Sequence, residues 1–510
     1  MTKLEPKTDS VIQIKQPMVR TFSTGGGHSP GDTLVEGDKK IVTRKWQGYP
    51  PQNLKVVGKS LQPMPEVAIP RFTGKAEYAT RVLLPNLLYA KLLNCPHPHA
   101  WIKSLDTSKA ERMPGVAYIL TYKNAPPGFP LPQELSFQGD TVAMVAADTE
   151  DLAEDAVQAI EVEYEILPFA TTLKQAIPSD APDLRPQRGR RNLVLQPEND
   201  PHYDPNATWV SKHGDVEKGF QEADVIKEFT YSFAGATAVP MQPVSCVAKW
   251  DGDKLTFWGM GQGIYPQRAA IARALVIDPA NIHYINKYNG CTFGAAQAAN
   301  WVQPFIAYMA KMAGRPVKVM LTKDQELAAI RIKPETISRF RVGAKKDGRI
   351  VALAHEIHIS VGADGSTGHA TTEVSKNQQE LYTSNVPNWK STWYCYKTNA
   401  MVIGPVRSHT QHEVKWAWEI MMDEMTEAVG TDPLQFRLSH IAKPGMKLSP
   451  ARDWHAGDLG QRYEVENGAL TYDCFASAEV LEEGAKAIGW DKRNPVPGGT
   501  QGRFKRGIGV

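Results

Sequence analysis

The sequence predicts an α+β fold in two successive modules, and three features carry that prediction. Two β-hairpins are marked by the turn dipeptides Asp251-Gly252 and Asp347-Gly348, each set between apolar-rich runs. Glycine there supplies the positive φ of a tight turn. Apolar residues at helical spacing recur between and beyond the hairpins. Residues 148–166 switch from helical periodicity to alternation by two, a helix running into a strand. A chain of 510 residues is long enough for two to four domains with cores of their own.

Residues 1–71 are rich in Pro, Gly, Lys and Thr and show little periodicity, which predicts an extended N-terminal arm. Within it, Ser23–Asp32 (STGGGHSPGD) has the glycines of a phosphate loop but lacks the closing lysine and a preceding apolar strand. Residues 72–175 form the first compact α+β module. Runs such as RVLLPNLLYAKLL and GVAYIL alternate with turn signals, including Met113-Pro114-Gly115. Leu152, Ala156, Val157 and Ile160 share a helix face behind Asp148, the expected N-cap. Ile160, Val162, Tyr164 and Ile166 then alternate as a strand that ends before Pro168. Cys95-Pro96-His97-Pro98-His99 reads as a rigid turn between strands rather than a metal site.

Residues 176–215, rich in Pro, Asp, Asn and Arg, read as a linker. Residues 216–510 form the second, larger α+β region, which contains both hairpins. One helix has Pro266 near its start and Ile264, Ile271 and Leu275 on one face. Another is expected over 295–313, interrupted or kinked at Pro304 and stopped by Gly314. A third carries Val414, Trp418, Met421, Met425 and Ala428 and ends at Gly430; Asp432-Pro433 then opens a short helix through His440. The closing GRFKRGIGV looks like the opening of a strand, which implies a partner strand in another polypeptide, or a fragment.

Composition narrows the function classes. Lys and Arg total 58 against 55 Asp and Glu, with no basic tract, so charge predicts no nucleic-acid binding. No apolar run is long enough for a membrane span. The N-terminal MTKLEPKTDS lacks the pattern of a secretory signal. Cys95, Cys246, Cys291, Cys395 and Cys474 lie far apart with no CxxC spacing. That argues against an iron–sulfur or zinc cluster built from this chain alone and fits a reducing, cytoplasmic location.

Three segments could carry chemistry. The run Asn289-Gly290-Cys291-Thr292-Phe293-Gly294-Ala295-Ala296-Gln297 follows the apolar IHYI and opens a helix. Small residues there admit a ligand close to the backbone, and helix N-terminal amides suit an anion; a plain strand-to-helix turn is the competing reading. Gln262 ends the strand LTFWG, where its amide could donate to a bound oxygen or simply form a turn. Gly404–Glu413 (GPVRSHTQHE) places Arg407 in a loop suited to an anion or carbonyl contact. His409 and His412 beside Glu413 invite a metal reading, for which no third ligand is evident. Cys291, with no assignable His/acid partners, reads as a small packing residue.

Taken in order, these pieces resemble the molybdenum-binding large subunit of the molybdenum hydroxylases, the xanthine oxidase/aldehyde oxidase family. RFTGKAEYATRVLLPNLLYAKLLNCPHPHAWIKSLDTSKAERMPGV and QGDTVAMVAADTEDLAEDAVQAIEVEYEILP resemble its hammerhead domain. MQPVSCVAKWDGDKLTFWGMGQGIYPQRAAIA resembles the start of its cofactor-binding region, and GRPVKVMLTKDQEL, VGAKKDGRIVAL, GPVRSHTQHEVKWAWEIMMDEMTEAVGTDPLQFRLSHI and GRFKRGIGV follow in the family's order.

The resemblance implies a hammerhead-type domain followed by the first part of the molybdopterin-binding domain, completed by another chain. It implies a molybdenum–pterin cofactor, molybdopterin or its cytosine dinucleotide. Gln262 matches the glutamine beside an apical oxygen ligand. Gly290, Thr292, Phe293 and Gly294 match the glycine-rich loop beside the metal and pterin. Arg407 matches the arginine beneath the metal centre, and Gln297 and His409 fall at substrate-pocket positions. It further implies partners: a second polypeptide with the C-terminal half, a 2Fe–2S subunit, an FAD subunit and a small-molecule substrate. The family's catalytic base, a glutamate of that C-terminal half, is not in this chain.

The departures weigh on substrate. The family's GGGFGGK loop reads Gly290-Cys291-Thr292-Phe293-Gly294-Ala295-Ala296, so Ala296 replaces a lysine. Gln297 stands where purine oxidisers have a glutamate, His409 where they have an aromatic wall, and Met-Glu-Pro becomes Met241-Gln242-Pro243. These changes argue against a purine. The expected function is oxidative hydroxylation of an aldehyde, N-heterocycle or activated C–H using water. The alternatives are a molybdenum-dependent hydratase or hydroxyl transferase without net redox, and a non-catalytic scaffold.

Overall fold

Val317–Val319 pairs in parallel with Leu88–Ala90, so the two sequence modules share one sheet. The computed structural model describes residues 10–12, 41–43, 65–184, 192–194, 204–294, 302–363, 380–383, 385–404, 406–408, 411–442, 476–496, 502–505 and 507–509. The shared sheet has seven strands in the order Ile282–Ile285, Lys254–Trp258, Ser245–Asp251, Val317–Met320, Leu88–Asn94, Thr141–Ala147 and Val116–Thr121.

Thr141–Ala147 (TVAMVAA) is buried at every residue, which its unbroken apolar run permits. Met144 and Ala146 pack with Phe305 and Ile306 of the helix Val302–Ala313. Ala143 and Val145 pack with Ala156 and Val157 of the helix Glu150–Gln158. Thr149, not Asp148, caps that second helix. Its extended backbone (φ −135°, ψ 160°) lets Oγ1 accept from the Leu152 amide at 3.1 Å, while Asp148 pairs with Arg315 at 2.9 Å. The helix Val302–Ala313 runs through Pro304 without interruption. The expected start of this helix, residues 295–301, lies outside the described residues.

A second sheet runs Trp209–His213, Trp389–Tyr396, Ile350–Ser360, Thr336–Ala344, Val225–Phe233, with Leu193–Val194 also paired to Trp389–Tyr396. Its core sets Phe340, Leu353, Trp389 and Trp393 against Val414, Trp418, Met421 and Met425 of the helix Gln411–Val429. Both expected hairpins form. Gly252 (φ 61°) and Gly348 (φ 90°) carry the positive φ, and in the first hairpin Asp251 pairs with Lys254 across a two-residue turn. The helix Pro433–His440 docks through Arg437, whose buried guanidinium bonds Glu419 at 2.9 Å and Asp423 at 2.7 Å.

A third, three-stranded sheet orders Glu134–Leu135, Ala100–Asp106 and Glu161–Ile166. Residues 95–99 are the turn that joins Leu88–Asn94 to Ala100–Asp106.

Three differences from the sequence reading are physical. Residues 176–215, read as a linker, give two strands to the second sheet, because Trp209 and Val194 bury side chains there despite polar neighbours. Residues 1–71, read as an extended arm, include an antiparallel pair, Ser10–Ile12 with Ile41–Thr43, and most of the helix Pro65–Phe72. The described residues of 502–509 form no strand and are exposed. The Ser23–Asp32 loop lies outside the described residues.

Candidate functional site

A cleft of about 500 Å³ is lined by Gln262, Asn289, Gly290, Cys291, Thr292, Phe293, Gly294 and Arg407. Every described residue singled out from the sequence as a cofactor contact faces it. Gln297 and His409 lie outside the described residues.

The first wall is the loop Gly259–Gln262, which leaves the strand Lys254–Trp258. The Gly261 amide donates to Asn289 Oδ1 at 3.3 Å, and its carbonyl accepts from Asn286 Nδ2 at 2.7 Å. Beneath the loop is a buried amide–phenol network. Gln303 Nε2 donates to the Met260 carbonyl at 3.3 Å and to Gln267 Oε1 at 2.9 Å, and the Tyr284 hydroxyl donates to the same Gln267 oxygen. A Cβ on Gly261 would lie 1.7 Å from Gln267 Nε2. Gly261→Ala is therefore expected to break this network and cost about 2 kcal/mol, a fall of roughly 4–8 °C in the thermal midpoint, read by calorimetry.

The second wall is Asn289–Gly294. The Gly290 amide donates to Gln242 Oε1, and a Cβ on Gly290 would meet that oxygen at 2.5 Å. Phe293 (φ 51°) is left-handed, a strained conformation for an aromatic residue, and Gly294 (φ 93°) follows it. The third wall is the Arg407 loop. The Arg407 amide donates to the Phe293 carbonyl at 2.6 Å, its carbonyl accepts from Lys333 Nζ at 2.7 Å, and Ser408 is also left-handed (φ 73°). Of the four non-glycine residues with positive φ among the described residues, two thus stand at this cleft. Strain held in place by surrounding bonds is a mark of a functional loop.

Two polar groups left over at the cleft can donate. The Thr292 hydroxyl and the Gln242 Nε2 amide are buried without a hydrogen-bond partner. The Arg407 side chain is exposed, and among the described residues none engages its guanidinium. Among the described residues, no carboxylate lines the cleft. Such a set suits an anionic, oxygen-rich ligand.

The metal reading of His409, His412 and Glu413 lies in part outside the described residues, which do not include His409. His412 is exposed while Glu413 is wholly buried, and no described cluster of three His, Cys, Asp or Glu side chains could hold a metal ion. Cys291 is exposed at the cleft rather than packed. Sequence reasoning missed Asn286 and Lys333 and gave Asn289 no role beyond opening its run. No local pattern marks Lys333. Among the described residues, no helix is long and apolar enough to cross a membrane.

Comparison with known proteins gives this geometry a context. Residues 199–441 match the model of the molybdopterin cofactor-binding domain, and residues 73–168 match that of the aldehyde oxidase and xanthine dehydrogenase a/b hammerhead domain. The chain is 31% identical over 441 residues to a probable xanthine dehydrogenase subunit of Bacillus subtilis, covering 83% of this chain and 55% of that one. It is 28% identical over 397 residues to the nicotinate dehydrogenase large molybdopterin subunit of Eubacterium barkeri, covering 75% of this chain and 89% of that one. Thus the chain spans about half the length of several curated relatives it matches and most of one. Among solved structures, quinoline 2-oxidoreductase from Pseudomonas putida 86 superposes with a TM-score of 0.70 at 20% identity, over 83% of this chain and 53% of that one. Aldehyde oxidoreductase from Desulfovibrio gigas gives 0.67 at 22% identity, over 84% and 47%. At those identities the likeness shows the fold. Two family models in the family's order, joined through one sheet, place this chain in the molybdenum hydroxylase (xanthine oxidase/aldehyde oxidase) family, as a molybdenum-cofactor-binding large subunit.

Proposed function

We propose that the cleft holds one side of a molybdenum–pterin cofactor in an oxidoreductase that hydroxylates an aldehyde, an N-heterocycle or another activated C–H with water. The observation that carries this is the convergence of Gln262, Gly290–Gly294 and Arg407, distant in sequence, on one cleft whose described lining holds no carboxylate. The residues fit such a group. Thr292 and Gln242 hold buried donors that lack a partner, and Gly290 and Gly294 keep side chains out of the way. Gln262 and Arg407 would orient and neutralise the anionic cofactor, and Gly290–Gly294 would approach it with backbone. When bound, the cofactor supplies the oxygen- and electron-transfer chemistry.

The partners are a second polypeptide that carries the rest of the cofactor domain, a 2Fe–2S subunit and an FAD subunit. The near-complete span of the Eubacterium barkeri subunit supports a cofactor domain divided between chains. The widely spaced thiols fit cytoplasmic assembly.

Molybdenum content tests the reading. The complex, purified natively through a tag on this chain, is expected to hold molybdenum in near-stoichiometric amount by plasma mass spectrometry. Substrate-dependent dye reduction is expected with it. Absence of molybdenum with the partner half present would leave only a scaffold role; molybdenum without dye reduction would favour hydration or hydroxyl transfer.

A further inference from the structure

We infer that the buried pair Lys333–Glu413 is a positioning device that locks the Arg407 loop into its cleft-lining conformation. Lys333 belongs to the short strand Ile332–Lys333, and Glu413 to the first turn of the helix Gln411–Val429. Both are sequestered: the Lys333 side chain is 11% exposed and that of Glu413 0%. Lys333 Nζ lies 3.3 Å from Glu413 Oε1 and donates to the Arg407 carbonyl at 2.7 Å. The Arg407 amide is meanwhile bonded to the Phe293 carbonyl. Arg407 is thereby held on both sides of its backbone, and the strained Ser408 follows directly.

The backbone just before the loop is tied to the same strand. The Ile332 amide donates to the Val402 carbonyl at 3.2 Å, and the Gly404 amide donates to the Ile332 carbonyl at 3.3 Å. A Cβ on Gly404 would lie 2.2 Å from Arg331 Cδ, so only glycine lets the two segments pack this closely. Strand 332–333 packs against the backbone just before the loop and helix 411–429 follows it in the sequence, and the ion pair joins the two.

Fold stability gives no reason for this pair. Burying two charges costs desolvation that their attraction barely offsets, and a neutral donor could satisfy the Arg407 carbonyl. Glu413 is wholly buried and makes no hydrogen bond of good geometry, so Lys333 is the cation that compensates it. The pair fixes position: the lysine cannot drift from Arg407 without abandoning a buried carboxylate.

The inference rests on Arg407 being a cofactor contact, and the test separates the two. The double variant K333M/E413Q removes both charges and leaves no orphaned ion, so folding is spared. In the complex purified with its native partners, amide exchange in peptides spanning Arg407 is expected to quicken by about tenfold or more, with the rest of the chain unchanged. Molybdenum content should fall in parallel. K333R, which keeps a donor and the charge, is expected to restore slow exchange to within about twofold. Unchanged exchange in the double variant overturns the brace, whatever the molybdenum content. Faster exchange with full molybdenum sinks the reading of Arg407 as a cofactor contact and leaves the brace standing.

Discussion

Arg407→Ala is expected to leave the chain folded and to strip the cofactor from it. The two halves of that expectation have separate origins. What holds the loop is backbone: the Arg407 amide to the Phe293 carbonyl and the Arg407 carbonyl to Lys333. Truncating the side chain touches neither bond, and among the described residues the guanidinium pairs with nothing. The thermal midpoint should therefore shift by no more than about 2 °C, as for an exposed side chain. What the side chain supplies is a cation at the rim of the cleft. A charge-assisted hydrogen bond contributes about 1.5–3 kcal/mol, so its loss weakens binding of an anionic cofactor by about 10- to 150-fold. Molybdenum retained after gel filtration, measured by plasma mass spectrometry, reads this directly. Arg407→Lys should retain an intermediate amount, since lysine keeps the charge but loses the planar fork. Wild-type molybdenum content in the alanine variant would remove Arg407 from the cofactor site.

Local chemistry explains what could be read from the sequence. The hairpins at Gly252 and Gly348 were legible because a turn's φ requirement is met within two residues. The helices Ile264–Leu275, Gln411–Val429 and Pro433–His440 were legible because their apolar faces and caps are local too. The shared sheet was not. Val317–Val319 meets Leu88–Ala90 across more than two hundred residues, and nothing in either segment names its partner. Trp209–His213 hid in a stretch whose Pro, Asp and Asn suggested a linker; one buried tryptophan and the edge of a finished sheet outweighed composition. At the cleft, Gln262, Phe293 and Arg407 came together only through family resemblance, since spacing offers no link between them. The Lys333–Glu413 pair escaped for a related reason. Glu413 stands beside two histidines and invited a ligand reading, but the helix turns it inward while His412 faces out.

Acid is expected to destabilise this chain through His355, and the sign follows from its surroundings. The imidazole lies 2% exposed in the core of the second sheet, stacked on Phe340 at 4.4 Å and edge-on to Trp418 at 5.5 Å. Burial pushes its pKa down to about 3, and the opposing pull of the Glu356 carboxylate is too weak to restore it. The unfolded chain binds a proton at this histidine below pH about 6.5, while the folded chain refuses it until near pH 3. Stability from the neutral, buried form is thus fully present above pH about 6.5 and is lost as pH falls, by about 1.4 kcal/mol per pH unit. By pH 4.5 the loss is about 2.7 kcal/mol, and near pH 3, where the folded histidine itself begins to titrate, it reaches about 4 kcal/mol. His440, also pushed down by burial, adds to the same slope; its Nδ1 lies 2.7 Å from the Phe436 carbonyl and its Nε2 accepts from the Ile350 amide, an arrangement suited to the neutral ring. Glu413, pushed up by burial, titrates in the opposite sense, so the raw pH profile mixes terms. The difference between wild type and His355→Leu isolates one. Urea midpoints followed by tryptophan fluorescence should diverge steadily below pH 6.5, the variant losing about 1.4 kcal/mol less per unit. Parallel profiles between pH 6.5 and 4.5 would mean that His355 takes up its proton in the folded state, and that the Phe340–Trp418 cage is open to water.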